Sequence, residues 1–342
     1  MGNIFYNQLL DRLEKDGEVN TLTAISNNGN LGDRVVLDNS GCLENNNSKF
    51  FSSIKDKVKF KKGTYCEKYD NEEIFVESIY GKPKLVICGG GHIALPLSRM
   101  GKMLEFDVTV IDNRPEFANS KRFPHADCVI CRDFNEGLEK AGLNSNTYVV
   151  IVTRGHVDDR NCLCKVIKMN HKYVGMIGSR SKAAFVFNKM KEDGYSEEEL
   201  KNVYTPVGLD IGAETPEEIA VSIFAEIIQI KNKNLISYYE EDIINKLKYQ
   251  KEDMVLATIV EKTGSCPRGV GAKMLMSKDG SFAGTVGGGR VESEVYKKAM
   301  KLIELQKHHI ESYNLSNSKA ATLGMACGGT IRVLYEYIKS EF

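Results

Sequence analysis

The sequence has no surplus of charge of either sign: 46 Lys and Arg stand against 46 Asp and Glu over 342 residues. A balanced chain sets up no field that favours nucleic acid, and no basic block restores one locally. Long apolar runs are also missing. None approaches the roughly 18 residues needed to cross a bilayer. The opening stretch, MGNIFYNQLLDRLEKDGE, lacks the basic start and apolar core of a secretory leader. No nucleic acid and no membrane is therefore expected as a partner, and the expected compartment is cytoplasmic.

The cysteines offer no disulfide frame. There are nine, an odd number, scattered at 42, 66, 88, 128, 131, 162, 164, 266 and 327, as in a reduced intracellular protein. Cys128 and Cys131 form a C-x-x-C, but the intervening Val129-Ile130 belongs on a buried strand. Strand alternation there would not aim both thiolates at one zinc. Cys162 and Cys164 stand two apart on an expected helix and point to different faces. Iron–sulfur spacing is absent, and no metal site is expected.

What is present divides into blocks, as the length allows. Residues 83–231 alternate apolar strands (KLVIC, DVTVID, DCVIC, TYVVIV, YVGMIG) with helical stretches, the pattern of a parallel sheet. A polar linker at 232–253 leads to a third block, 254–342. The first block, 1–80, aligns weakly with the third: VNTLTAISNNGNLGDRVVLDNSGCL beside VLATIVEKTGSCPRGVGAKMLMSKDGSF, then IFVESI beside IRVLYEYI. The expected fold is α/β, a Rossmann-like parallel sheet domain flanked by small α/β domains at both ends, the first a degenerate counterpart of the last.

The stretch LVICGGGHIALPLSRMGKMLEFDVTVIDNRP gives the middle block its chemistry. Gly89 permits a tight turn, Gly91 lets a pyrophosphate approach the backbone, and Ala94 lets helix and strand pack closely. The following helix start offers free N–H groups to phosphate. Asp112 stands where a ribose hydroxyl is usually accepted, and Arg114 could pair a phosphate. His156, in TRGHVDD, falls at a strand's carboxyl end with Asp158 or Asp159 to orient it, although an aspartate there equally suits a helix cap. Ser179 and Arg180 open another helix at a plausible anion site. Glu217 and Glu218 are read as capping chemistry after Thr215-Pro216.

The third block is richest. Ser265, Cys266 and Arg268 place a hydroxyl, a thiol and a guanidinium in one turn. Gly287, Gly288 and Gly289 precede a helix with Glu292 in its first turn, and Cys327, Gly328 and Gly329 precede the last strand. Small residues beside a thiol let a bulky ligand reach backbone and sulfur together. Taken singly, each cysteine is as well explained as a small buried hydrophobe. The grouping favours a ligand site.

At this point the chain resembles the XdhC/CoxI family, maturation factors of xanthine and carbon monoxide dehydrogenases. GSCPRGVGAKMLM, GTVGGGRVESE and LGMACGGTIRV look like its small domain. VICGGGHIALPLSRM, VIDNRPEFA, VTRGHVDD, YVGMIGSRSK and PVGLDIGAETPEEIAVSI look like its Rossmann-like domain. The resemblance implies a cofactor-binding chaperone more than a catalyst. It implies that the molybdenum cofactor, in its molybdopterin form, is bound transiently and given its sulfido ligand. The recipient would be a molybdenum hydroxylase apo-enzyme, and a cysteine desulfurase-type sulfur donor would be a second partner. A homodimer stays open.

Two departures stand out: the motif-rich domain follows the Rossmann-like one here, and Arg290 fills a position where members often carry cysteine. Cys266, in turn, takes a place often held by a small residue. No catalytic residue is assigned. An NAD(P)-dependent oxidoreductase would explain the glycine turn but leave the third block unused, and a non-catalytic nucleotide sensor is a further alternative.

Overall fold

The computed structural model describes all residues except 1, 27–28, 38–47, 55–56, 58–59, 70–71, 234–236, 250, 316–327 and 341–342. The chain forms two compact units. One comprises residues 1–14, 18–81 and 234–342, the other 15–17 and 82–233. Among the described residues no helix is long and apolar enough to cross a membrane.

The first unit begins with the helix Gly2–Asp16, followed by an antiparallel sheet of β1 (Glu18–Ala24), β2 (Arg34–Leu37), β3 (Thr64–Tyr69) and β4 (Glu72–Tyr80), in the order β2-β1-β4-β3.

The second unit is a six-stranded parallel sheet. Its strands are β5 (Lys84–Cys88), β6 (Asp107–Asp112), β7 (Cys128–Cys131), β8 (Thr147–Ile151), β9 (Tyr173–Met176) and β10 (Val203–Tyr204), ordered β10-β9-β8-β5-β6-β7. This is the dinucleotide-binding order, which reverses between β5 and β8. Both of those strands are buried almost throughout, because helices cover both faces. One face packs Leu97 of the helix Ala94–Met103 and Phe224 of the helix Pro216–Lys231. The other packs Leu138, Leu163 and Val186 from three further helices. The β7 edge modifies the expected buried strand: Ile130 is buried, while both Cys128 and Cys131 are exposed.

The chain then returns to the first unit. Strand β11 (Ser237–Tyr238) joins β4, and the helix Glu241–Lys248 buries Ile243 and Leu247. Within the expected linker, residues 237–248 are therefore built into the core; two buried apolar positions among many charges suffice to anchor an amphipathic helix. A second antiparallel sheet follows: β12 (Met254–Thr263), β13 (Lys273–Ser277), β14 (Phe282–Gly284), β15 (His309–Asn314) and β16 (Thr330–Ile338), ordered β14-β13-β12-β16-β15.

The run β13-β12-β16-β15 reproduces β2-β1-β4-β3, and the likeness extends to single residues. Thr23 opposes Arg34 and Thr21 opposes Glu77. In the second sheet Thr258 opposes Lys273 and Leu256 opposes Glu336. The charges pair across the two sheets: Lys273 binds Glu77, and Arg34 lies 3.0 Å from Glu336. All four side chains are less than a tenth exposed. Lys273 Nζ also donates to Ser237 Oγ at 2.9 Å and to the Gly271 carbonyl at 3.1 Å. Arg34 donates to the Tyr6 hydroxyl at 2.6 Å, and its contact with Glu336 is one of charge rather than an aligned hydrogen bond. Around these pairs, Tyr6, Leu9 and Val36 share one apolar cluster with Ile243, Leu256 and Ile338.

A neutral histidine lies at the same junction. Burial, then repulsion from Arg34, hold His308 down to about 4 against an ordinary 6.5. Its Nδ1 accepts the Tyr337 N–H at 3.2 Å, so the imidazole is stored unprotonated.

Two outcomes are expected. Lys273→Met should lower unfolding free energy by about 3–5 kcal/mol, since it leaves the buried Glu77 carboxyl without its ion-pair partner. Lys273→Met combined with Glu77→Leu should regain most of that loss in denaturant titration. Acid should destabilise the fold between pH 6.5 and about 4, where the unfolded chain takes up a proton that folded His308 refuses. His308→Asn, whose amide oxygen can still accept the Tyr337 N–H, should flatten that part of a stability–pH curve.

Candidate functional site

In the second unit the motif residues line the carboxyl ends of the parallel strands, where such sheets bind ligands. The three glycines after β5 divide by role. Gly89 has φ +111, and a Cβ there would fall on the Val152 carbonyl; one at Gly90 would fall on the Phe117 carbonyl. Gly91 has nothing within 4 Å of the same position. The first two glycines therefore serve the protein's own packing, and the third leaves space for a ligand. Ala94 is fully buried, but the position of this helix that needs glycine is Gly101, where a Cβ would come within 2.9 Å of Val108 and Leu85.

Asp112 is placed differently from a free ribose acceptor. It is 1% exposed. Its carboxylate accepts the Gly90 N–H at 2.8 Å, the Arg114 N–H at 3.0 Å, and Arg114 Nε and Nη2 at 2.8 Å each. Burial alone would raise its pKa, but these donors hold it below the ordinary carboxylate range. Arg114 is committed to the same contact and stacks over Phe117, 3.8 Å from the ring centre. A residue without a motif signature completes the turn: Arg122 donates through Nε to the Gly90 carbonyl at 2.9 Å and through Nη2 to that of Gly91 at 3.4 Å. Its only trace in the sequence is a basic pair before Phe123-Pro124, in KRFPH.

On the other side of the switch point, His156 opens the helix His156–Val166, exposed, with its ring edge-on to Phe185 at 5.7 Å. Asp159 neither caps that helix nor orients the histidine. It is wholly buried, accepts Thr153 Oγ1 at 2.6 Å and pairs with Lys182. Burial, opposed by those two donors, raises its pKa. Ser179 caps the helix Arg180–Glu192 through the Lys182 N–H at 3.2 Å, and Arg180 is exposed. Lys182 sits in the same SRSK motif as Ser179 and Arg180, three residues past the cap, yet its role depends on Asp159 from another helix. Thr215 and Glu218 form the expected capping box, with Pro216 at the first helical position.

In the first unit the third-block motifs meet. Gly264 has φ +72 and lies against Gly328 and Gly329; a Cβ on Gly329 would come 2.6 Å from Cys266 Sγ. A Cβ on Gly287 would come 3.2 Å from Pro267. The Cys266 thiol, partly buried, donates to the Thr263 and Thr330 carbonyls at 3.6 and 3.8 Å. A narrow cleft of about 30 Å³ lies between Cys266, Arg268, Gly287, Gly288, Leu315 and Ile331, room for about one water-sized group.

Ser265, Arg268 and Arg290 are exposed. Arg268 lies 3.8 Å from Glu240 and Arg290 2.7 Å from Glu294. Cys327 lies outside the described residues.

The glycine cradle at the helix Gly289–Leu305 already holds a carboxylate. Glu292 accepts from Thr285 Oγ1, from the Val286 N–H at 3.3 Å and from the Gly288 N–H at 3.1 Å. Gly288 and Gly289, at φ +74 and +65, are open on the side a Cβ would occupy. Their shape suits a close ligand, while Glu292 offsets part of the helix's positive end. Among the described residues no group of three or more His, Cys, Asp or Glu is placed to hold a metal.

The glycine roles predict opposite responses in the second unit. Gly90→Ala should lower the melting temperature, because its methyl meets a carbonyl. Gly91→Ala should melt as the parent does and weaken any nucleotide that binds there. Thermal melting with and without NADH or a nucleoside diphosphate reads both effects.

Comparison with known proteins agrees across both units. Residues 85–227 match the XdhC Rossmann domain, and residues 247–314 match the XdhC and CoxI family. The chain is 34% identical over 157 residues to the uncharacterized protein YqeB of Escherichia coli (strain K12), across 45% of this chain and 29% of that protein. It is 33% identical over 160 residues to a probable xanthine dehydrogenase subunit of Bacillus subtilis (strain 168), across 47% of this chain and 46% of that protein. The matches therefore span less than half of either relative. A solved structure described as a xanthine dehydrogenase from Bacillus halodurans aligns over 65% of each chain, with a TM-score of 0.50 and 25% identity.

Proposed function

This chain belongs to the XdhC/CoxI family, and on that premise we propose that it is an accessory factor for a molybdenum hydroxylase of the xanthine dehydrogenase type. In that role it holds the molybdenum cofactor, aids its sulfuration and passes it to the apo-enzyme. The observation that best supports this is the meeting of three separate motifs: the Cys266 turn, the open glycines 288 and 289, and Gly328-Gly329.

The residues fit such a cofactor in kind. Gly288 and Gly289 leave space where any side chain would intrude. Cys266 sets a sulfur donor beside the cleft, tethered to two carbonyls. Arg268 and Arg290 engage only exposed carboxylates, contacts weak enough to give way to a phosphate. Glu292 makes those guanidiniums, rather than the helix amides, the better anchors for an anion. When bound, the cofactor would supply the molybdenum centre that carries the sulfido ligand. A cysteine desulfurase-type donor and the apo-hydroxylase are the partners this function requires.

The second unit favours an additional ligand of nucleotide type, NAD(P) included, because the strand order reverses beside the open Gly91. A hydride-transfer enzyme is the weaker reading, since it gives Cys266 and the third block no task.

Protein purified from a molybdenum-replete host should yield pterin on oxidation in near-stoichiometric amount. Gly288→Val, Cys266→Ala and Cys327→Ala should each reduce it, and the parent should stimulate an apo-hydroxylase. Tight NADH binding with turnover of a small substrate and no pterin at all would sink the proposal in favour of an oxidoreductase.

A further inference from the structure

A larger cavity, about 390 Å³, lies within the first unit, inside the size range of small-molecule sites. Its lining includes Thr263 and Thr330, the residues whose carbonyls receive the Cys266 thiol. Three features show that the cavity is built rather than left over. The β12–β16 register shifts between Ile259 and Glu261, which skips Val260 and sets Glu261 opposite Arg332; bulges of this kind re-aim side chains beside sites. The skipped Val260 carbonyl accepts the Cys66 thiol at 3.3 Å. Thr64, 3% exposed, has its hydroxyl buried with no hydrogen-bond partner while lining the same cavity. Such an orphan marks a polar group in this wall whose partner the protein does not supply.

The wall chemistry is specific. Arg332 is gripped by Glu73 at 2.7 Å and by Glu261 at 3.1 Å. That fixes a carboxylate and a guanidinium side by side, with the Glu261 side chain still 46% exposed. Val260, Val270 and the Tyr65 ring supply flat or apolar surface. Burial, reinforced by Glu261 and Glu73, pushes the Cys66 thiol up to about 12, so at neutral pH it is an uncharged wall and not a nucleophile.

We propose that this cavity binds the 2-amino-4-oxopyrimidine edge of a fused bicyclic heterocycle, the edge that pterins and guanine share. The ring N–H and exocyclic amine donate together to Glu261, and the adjacent carbonyl accepts from Arg332. Choosing a pterin as the occupant rests on the function proposed above, and it names the residues that would read the cofactor's organic part.

The test titrates the full chain with pterin, following pterin fluorescence, and separately with guanosine. Saturable pterin binding is expected, weakened about tenfold to a hundredfold by Glu261→Gln and weakened again by Val270→Phe, which crowds the lining. Because Glu261 is half exposed, its variant should melt with the parent. Guanosine binding with the same Glu261 dependence, and no pterin binding, keeps the recognised edge but assigns it to a nucleotide. Equal affinity in parent and both variants, or no binding of either heterocycle, overturns the inference, even where molybdenum-cofactor uptake persists. Glu261-dependent pterin binding without any uptake of the intact cofactor would leave the site standing and remove the functional reading.

Discussion

The first unit depends on two buried ion pairs, Lys273–Glu77 and Arg34–Glu336, which tie its N-terminal and C-terminal sheets to each other. Neither sheet can bury its cation alone, because the carboxylate that compensates it sits on the other. Four desolvated charges are poor sources of net stability. Their worth lies in specificity: one register of one sheet against the other brings both pairs into contact, as a two-fold interface between separate chains would. The N-terminal sheet, on a stretch of sequence without the cysteine and glycine motifs, thereby acquires a definite task. It completes the core of the sheet that adjoins them, and its Thr64 and Cys66 wall the cavity opposite Glu261 and Arg332.

A second constraint concerns where glycine is needed by the chain and where it leaves room for something else. Gly89, Gly90 and Gly329 are required by the protein's own carbonyls and by Cys266 Sγ. Gly91, Gly288 and Gly289 meet no protein atom within 4 Å where a Cβ would be. The two groups are indistinguishable in a glycine motif, yet only the second bears directly on a ligand. The same separation applies to acids. Asp112, expected at a ribose hydroxyl, and Glu292, expected in a ligand site, spend their oxygens on backbone, hydroxyl and arginine donors of the turns they stand in. They organise the cradles and lower their positive potential.

Much of the local structure was legible in the sequence. The apolar runs at Lys84–Cys88 and Thr147–Ile151 became the central parallel strands, because a strand covered on both faces needs no polar alternation. Thr215-Pro216-Glu217-Glu218 capped its helix as its side-chain chemistry requires. Less legible were Asp159, Lys182 and Arg122, whose partners lie on other elements, and the helix Glu241–Lys248, whose two buried residues were lost among charges. The cavity at Arg332 was illegible for a further reason. A bulge at Val260 has no residue signature, and without it Glu261 would not face Arg332.

By itself the sequence determined the α/β class, the order of the parallel strands' motifs and the family, because each rests on short-range periodicity or on residues adjacent in the chain. Only the tertiary structure decided which glycines stand open, which acids are already engaged, and that Cys266, Gly287 and Gly329 share one place. It alone paired Lys273 with Glu77 across 196 positions. Such contacts follow from how two sheets pack and exclude water, and no local pattern of residues encodes that geometry.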